Sequence, residues 1–139
     1  RMPVIQDALS LAIMRTRWCA VDMHGVRNVQ HTKEESDAAF SLLKRMIAMG
    51  AELNAVDSKG NTTMERAVSQ AEQIMPVYDS TTRQYTGKRV ITDELRADLS
   101  RIFSLLFEQG LTSAIPMRTS TLTVQAFYAD HPLGAFLTR

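Results

Sequence analysis

The sequence has little of what disulfide-stapled, membrane-bound or nucleic-acid-binding proteins depend on. Its 139 residues include one cysteine, four prolines, six glycines and 6% aromatic residues, with a net charge of +1. Cys19 has no second cysteine with which to form an internal disulfide, so we expect a reducing, cytoplasmic compartment. At 45% hydrophobic and 22% charged residues, the chain has the composition of one globular domain with its own core.

Long apolar runs, basic stripes and glycine-rich loops are also missing. No apolar run approaches the length of a membrane-spanning helix or has the three-part layout of a signal peptide, so no membrane contact is expected. The near-neutral charge, without basic residues clustered among aromatics, argues against a nucleic-acid partner. No glycine-rich loop follows a predicted strand, so nucleotide binding has no support. Because the sequence begins with Arg1, we expect it to be part of a longer chain.

Apolar residues at helical spacing predict helices near residues 4–15, 33–49, 62–75, 93–109 and 120–129. In the second and fourth helices a threonine N-cap, Thr32 or Thr92, precedes a closing glycine, Gly50 or Gly110, by eighteen residues. At this offset of sixty residues five apolar positions coincide, which predicts one repeated structural role. The matched sets are Ala39, Leu42, Leu43, Met46 and Ile47 with Leu99, Ile102, Phe103, Leu106 and Phe107.

The first helix also matches the third, residues 7–13 with residues 62–68, at an offset of 55. Two polar stretches, near residues 16–31 and 76–91, separate the paired helices and are interpreted as insertions. The second is predicted to form either a small hairpin or an excursion loop.

The stretch from Gly50 to Asn61 is predicted to be a hairpin-like finger between two helices. Gly50 closes one helix in a left-handed conformation, and the sequence from Asp57 to Gly60 has the composition of a tight turn. Thr62 then caps the next helix.

This stretch resembles the junction of two ankyrin repeats, with Thr63 and Glu65 in place of the family's proline and histidine. The resemblance implies an all-α fold, a stacked helix-turn-helix solenoid with short hairpin-like fingers. It also implies a single domain over residues 1–139, with degenerate repeats of about 4–55, 56–115 and 116–139. The residues that carry the resemblance are Gly50, Ala51, Asn54, Ala55, Asp57, Gly60, Thr62 and Ala67.

The resemblance further implies a protein–protein interaction scaffold that recognises a folded partner. Lys59 and Asn61 flank Gly60 at the finger tip and have no predicted role in the core. Trp18 and Tyr85 are large amphipathic residues of the kind that anchor interfaces, although Trp18 is equally suited to covering the end of its own helix. Carried onto this sequence, the partner-facing positions of the family are Ser58, Lys59, Asn61, Ser69 and Gln70, and Val56, next to the finger, is added to them as a candidate.

Three alternatives stay open. Ankyrin domains with long insertions are similar to those of secreted bacterial effectors such as the arginine ADP-riboxanase family. This similarity implies a C-terminal substrate-recruiting domain in the host cytosol, with a host caspase as partner and the catalytic domain outside this chain. A small autonomous enzyme using a loop with Cys19 and His24 is the second alternative. An all-α oligomerising domain without repeat ancestry is the third.

The titratable residues of the first polar stretch do not predict a metal site. Cys19, Asp22, His24 and His31 include common zinc ligands, but their spacing matches no tight ligand pair. We therefore expect no metal, no other cofactor and no catalytic residue in this chain.

Overall fold

The computed structural model describes residues 4–79, 81–118 and 120–138, with the backbone alone for Tyr78, Tyr85 and Thr86. The helices in this part of the chain are α1 (Val4–Met14), α2 (Lys33–Ala48), α3 (Thr63–Gln73), α4 (Asp93–Glu108), α5 (Val124–Phe127) and a 3-10 helix (Pro132–Phe136). The strands are β1 (Cys19–Val21), β2 (Arg27–Val29), β3 (Val77–Asp79), β4 (Gln84–Thr86) and β5 (Arg89–Val90).

The structure is mixed α/β, so the prediction of an all-α solenoid is wrong. Strands β2, β1 and β5 form an antiparallel sheet in that order, and β3 pairs with β4 in a separate hairpin. All five strands lie in the two polar stretches that separate the helices. Strands β1, β2 and β5 were not predicted, because each has only two or three residues and β2 is exposed throughout, so no alternation of apolar and polar residues marks them.

The two polar stretches pair with each other, because β1 of the first lies antiparallel to β5 of the second. Cys19 lies opposite Val29 within its own hairpin and opposite Val90 of the second stretch. The Val21 amide extends this pairing by donating to the Lys88 carbonyl at 2.8 Å. The β3–β4 hairpin is the small hairpin predicted for residues 76–91.

Four helices lie within two residues of their predicted ends. Their start signals are confirmed, since the hydroxyls of Thr32, Thr62 and Thr92 accept from the third helical amide in α2, α3 and α4. The helix predicted near 120–129 is shorter, because Thr123 caps α5 and also pairs with Pro116 in an isolated β-bridge. The segment before it therefore belongs to a loop.

The helices form two rows. In the inner row, α1 packs against α3, and a hydrogen bond from the Tyr128 hydroxyl to the Glu72 carboxylate joins the end of α5 to α3. In the outer row, α4 contacts α2 on one side and the 3-10 helix on the other. Contacts of α1 with α2 and α4, and of α3 with the 3-10 helix, close the core between the rows.

Position in the outer row explains which of the matched apolar residues are buried. All five in α4 are buried, because α4 has a neighbour on each side. Of the five in α2, Ala39 and Leu43 are buried, whereas Leu42, Met46 and Ile47 are half-buried, because α4 is the one outer-row neighbour of α2 among the described residues. Three of the five matched positions therefore differ in burial between α2 and α4.

The inner-row helices match at an offset of 59, and the predicted offset of 55 is wrong. At 59 four apolar residues of each helix coincide, and all eight are buried. The matched sets are Ile5, Ala8, Leu9 and Ala12 with Met64, Ala67, Val68 and Ala71. Both rows therefore repeat at nearly the same interval.

Among the described residues, no helix combines the length and apolar character needed to cross a lipid bilayer.

An ion pair between the half-buried Arg17 and the buried Asp98 connects the first polar stretch to α4. The Arg17 backbone amide donates to the Asp98 carboxylate at 2.9 Å, and its guanidinium donates twice more, at 3.1 and 2.8 Å. Burial on its own would raise the pKa of Asp98, but the hydrogen bonds from Arg17 and Ser36 and the charge of Arg17 together outweigh it and hold that pKa below its ordinary value. This pair fixes the chain between α1 and β1 against α4, beside β5.

Replacing Asp98 with Asn should therefore lower the free energy of unfolding at pH 7 by about 1–3 kcal/mol. The pKa of Asp98 is lower in the folded than in the unfolded state, so its stabilisation is fully present above the unfolded value of about 4. It is lost as pH falls through the folded pKa, and the difference between wild type and variant should shrink below about pH 4. Urea unfolding across this range measures it. Asp130→Asn, at an exposed position, is the control and should behave as wild type.

Leu106→Ala should cost about 2–5 kcal/mol, because this fully buried side chain lies at the centre of the outer row. Leu122→Ala removes the same atoms from a side chain that is 49% exposed and should cost much less. Equal urea midpoints for the two variants would contradict the packing described for α4.

Candidate protein-binding surface

Residues 50–61, all of which the structure describes, form the predicted finger as a tight turn without strands. The Asp57 carboxylate accepts from the amides of Lys59 at 2.9 Å and Asn61 at 2.8 Å. Gly60 has a φ of 82°, which glycine adopts without strain. The bonds from the backbone and side chain of Asn61 hold the pKa of Asp57 below its ordinary value. Ser58 and Lys59 are thereby left exposed at the tip.

A buried glutamine attaches this first finger to the inner row. Gln6 is 0% exposed, and its Nε2 donates to the carbonyls of Ala55 and Asn61, both at 3.3 Å. Because these two carbonyls lie on the two sides of the turn, one side chain from α1 holds both sides of the finger in place.

A second finger, residues 111–118 and 120–123, lies against the first. Its two sides are joined by the Met117 amide, which donates to the Leu122 carbonyl at 3.0 Å. Arg118 connects the fingers, because its Nε donates to Asn61 Oδ1 at 3.1 Å and its amide donates to Glu65 Oε2 at 2.8 Å. The two fingers are therefore one hydrogen-bonded unit.

Glu65 has a role that sequence reasoning missed. Its Oε1 accepts from the Thr62 amide at 3.1 Å, which completes a capping box at the start of α3, while Oε2 accepts from the second finger. The spacing Thr62-x-x-Glu65 is the sequence signal of this cap. The resemblance to ankyrin repeats marks Glu65 only as a difference from the family's pattern. Gln6 stands 59 residues earlier, at the matching helical position, and likewise binds the next finger.

The structure leaves four of the six predicted finger and helix positions on the free surface. Val56, Ser58, Lys59 and Ser69 are exposed. Gln70 is only 8% exposed because it lies on the inward side of α3. Asn61 lies outside the core, but its side chain is held by Asp57 and Arg118 and so helps to join the two fingers.

The two predicted aromatic anchors lie in the polar stretches, away from the fingers. Trp18 is half-buried and covers the end of its own helix, with Nε1 donating to the Met14 carbonyl at 3.1 Å. The Arg89 guanidinium lies over the Trp18 ring, 4.7 Å from its centroid. Tyr85 belongs to β4, but its side chain lies outside the described residues.

Two apolar residues in and after the second finger are also exposed and were not singled out from the sequence as partner-binding positions. Leu122, at the end of the second finger, and Phe127, one turn into α5, are 49% and 50% exposed. Val56 of the first finger is 52% exposed. Helical periodicity marks such residues only as apolar and does not show that they are exposed.

The residues considered for catalysis or metal binding are not brought together. Cys19 is buried, and the carbonyl of Ala20 is the hydrogen-bond acceptor of its Sγ. His24 lies in the exposed turn between β1 and β2, three residues beyond the end of β1. Within the described ranges no group of three His, Cys, Asp or Glu side chains is arranged to hold a metal ion.

Comparison with known proteins gives no assignment. No family model, curated protein or solved structure matches this chain.

The finger contacts predict different effects for the two residues that flank Gly60. Asn61→Ala should lower the free energy of unfolding by about 1–2 kcal/mol, because it removes the side-chain bonds to Asp57 and Arg118. Lys59→Ala should leave it within about 0.5 kcal/mol, because that side chain is exposed. Thermal unfolding of both variants tests this, and equal melting temperatures would contradict the connection between the fingers.

Proposed function

We propose that this chain is a protein-recognition scaffold built from ankyrin-like units, in which the paired fingers contact a folded protein partner. The observation that carries the proposal is the hydrogen-bonded finger pair, held by Gln6 on one side and by Glu65 and Arg118 on the other. Surfaces held in place before binding lose little conformational entropy when a partner docks.

The exposed side chains of the fingers and of α5 favour a protein as the binding partner. Val56, Leu122 and Phe127 are each about half exposed, and the exposed Lys59 adds a cation at the tip of the first finger. Apolar contacts of this kind supply binding energy, and the lysine favours a partner with an acidic group opposite it. We name these four residues the finger surface.

The repeated arrangement supports ankyrin-like units. Inner-row helices recur after 59 residues, outer-row helices recur after 60, and Gly50 and Gly110 both follow outer-row helices with a φ of 90°. Each unit differs from the family pattern in carrying short β-strands between its two helices. These strands begin where the inner helices end, whereas the fingers meet the inner helices near their first turns.

The resemblance to effector ankyrin domains makes a host caspase the first partner to test. With a caspase as partner, the chain would act in the host cytosol as the recruiting part of a larger protein. The buried free thiol of Cys19 suits such a reducing compartment.

The test is a calorimetric titration of the chain with a purified caspase, together with capture by a photo-cross-linker placed at position 58. Lys59→Ala and Leu122→Ala should each weaken binding of the identified partner by about 1–2 kcal/mol while leaving the melting temperature near wild type. Both side chains are exposed, so loss of binding is not explained by unfolding.

Cys19→Ser tests the alternative hypothesis, that the chain is an enzyme which uses Cys19 and His24. A partner that binds finger variants as tightly as wild type, but loses binding or an associated reaction with Cys19→Ser, would contradict the scaffold. The enzyme hypothesis centred on Cys19 and His24 would then be favoured.

A further inference from the structure

A groove runs along the outer row between α4 and the 3-10 helix, separate from the finger surface. Two cavities of about 320 and 360 Å³ share Ser100, Ala135 and Phe136 in their walls. A third, of about 300 Å³, joins the second at Ile91 and Arg96. Phe136 is held in the wall by stacking on the buried Phe103, with ring centroids 6.1 Å apart. The cavities therefore form one continuous groove along α4.

The repeat itself shows why this groove is open. Sixty residues before Ser100 stands Phe40 of α2, whose ring lies 4.5 Å from the Arg101 guanidinium of α4. Sixty residues before Ser104 stands Lys44, whose ammonium also lies over Phe40, at 5.7 Å. The junction of α2 and α4 is thus filled by an aromatic ring beneath cations. In α4 the same two positions carry small serines, so the corresponding space stays empty.

One end of the groove is basic. Arg96 is exposed, and no described carboxylate lies within ion-pair distance of it. Arg89 lines the same end, held over Trp18, and its Nε is buried without an acceptor among the described residues. At the other end the groove reaches Glu108. A ligand with a negative charge beside Arg96 and Arg89 would match this arrangement.

We propose that this groove binds an extended acidic peptide segment of a partner protein, with one aromatic side chain over Ser100 and a carboxylate at Arg96. The aromatic ring takes the place that Phe40 fills in the preceding unit. Arg96 lies four residues before Ser100, about 6 Å along the helix. An extended peptide spans that distance in two residues, at about 3.3 Å each, so the carboxylate lies two positions from the aromatic residue.

The probe is a fluorescein-labelled alanine heptapeptide with a central phenylalanine and a glutamate two positions away on each side. Two counterparts replace the glutamates with lysine or the phenylalanine with alanine. Fluorescence anisotropy with the whole chain should show the glutamate peptide binding at least about tenfold more tightly than either counterpart. Added salt should reduce the difference between the glutamate and lysine peptides.

Ser100→Phe should fill the groove as Phe40 does and weaken binding at least about tenfold. Ser41→Phe adds the same ring at an exposed position of α2 outside the groove, and should bind as wild type. Arg96→Glu should reverse the preference, so that the lysine peptide binds more tightly. Melting temperatures near wild type would show that these variants are folded.

Absence of binding by all three peptides at millimolar concentration would overturn the proposal. Equal binding of the glutamate and lysine peptides, or unchanged binding by Ser100→Phe, would do the same. Lys59→Ala and Leu122→Ala leave the groove intact and should bind the peptide as wild type, so a failure of the finger surface is distinguishable from a failure of the groove.

Discussion

The ion pair between Arg17 and Asp98 is the constraint on which the arrangement of the two units depends. Three hydrogen bonds join a residue just after α1 to the middle of α4, and the carboxylate is almost fully buried. With Arg17 held there, β1 begins two residues later beside β5, which directly precedes α4. The same connection places Trp18 under Arg89 at the basic end of the groove. This ion pair therefore fixes the sheet and one of the two candidate binding surfaces.

The two candidate surfaces lie on different parts of the repeat and are built differently. The finger surface depends on side chains that hold backbone groups of a loop, with Gln6 and Glu65 at matching positions of consecutive inner-row helices. The groove depends instead on a change of side-chain size at a repeated position, from Phe40 to Ser100. Both units thus have a polar inner-row side chain that holds a finger, whereas the size of the outer-row side chain differs between them. The smaller serine leaves a groove open where phenylalanine fills the corresponding space in the preceding unit.

Two features in which this chain differs from the ankyrin pattern have structural roles. Glu65, in place of the family's histidine, completes the cap of α3 and accepts from the second finger. The polar stretches that lengthen each unit to about sixty residues do not remain separate loops, because they pair into a common sheet. The result is a mixed α/β domain in which β1 of the first polar stretch pairs with β5 of the second and so connects consecutive units.

The sequence by itself determined the features that depend on residues a few positions apart. Thr32, Thr62 and Thr92 start helices, Gly50 and Gly110 follow them with positive φ, and Asp57 shapes its turn through amides two and four residues ahead. The sixty-residue repeat is equally visible in the order of apolar residues. Only the tertiary structure decided the pairing of β1 with β5, the burial of Gln70 and the attachment of Asn61 to Arg118, 57 residues away. These features depend on which distant segments come into contact, and the short strands and single polar side chains involved carry no periodic signal of their partners.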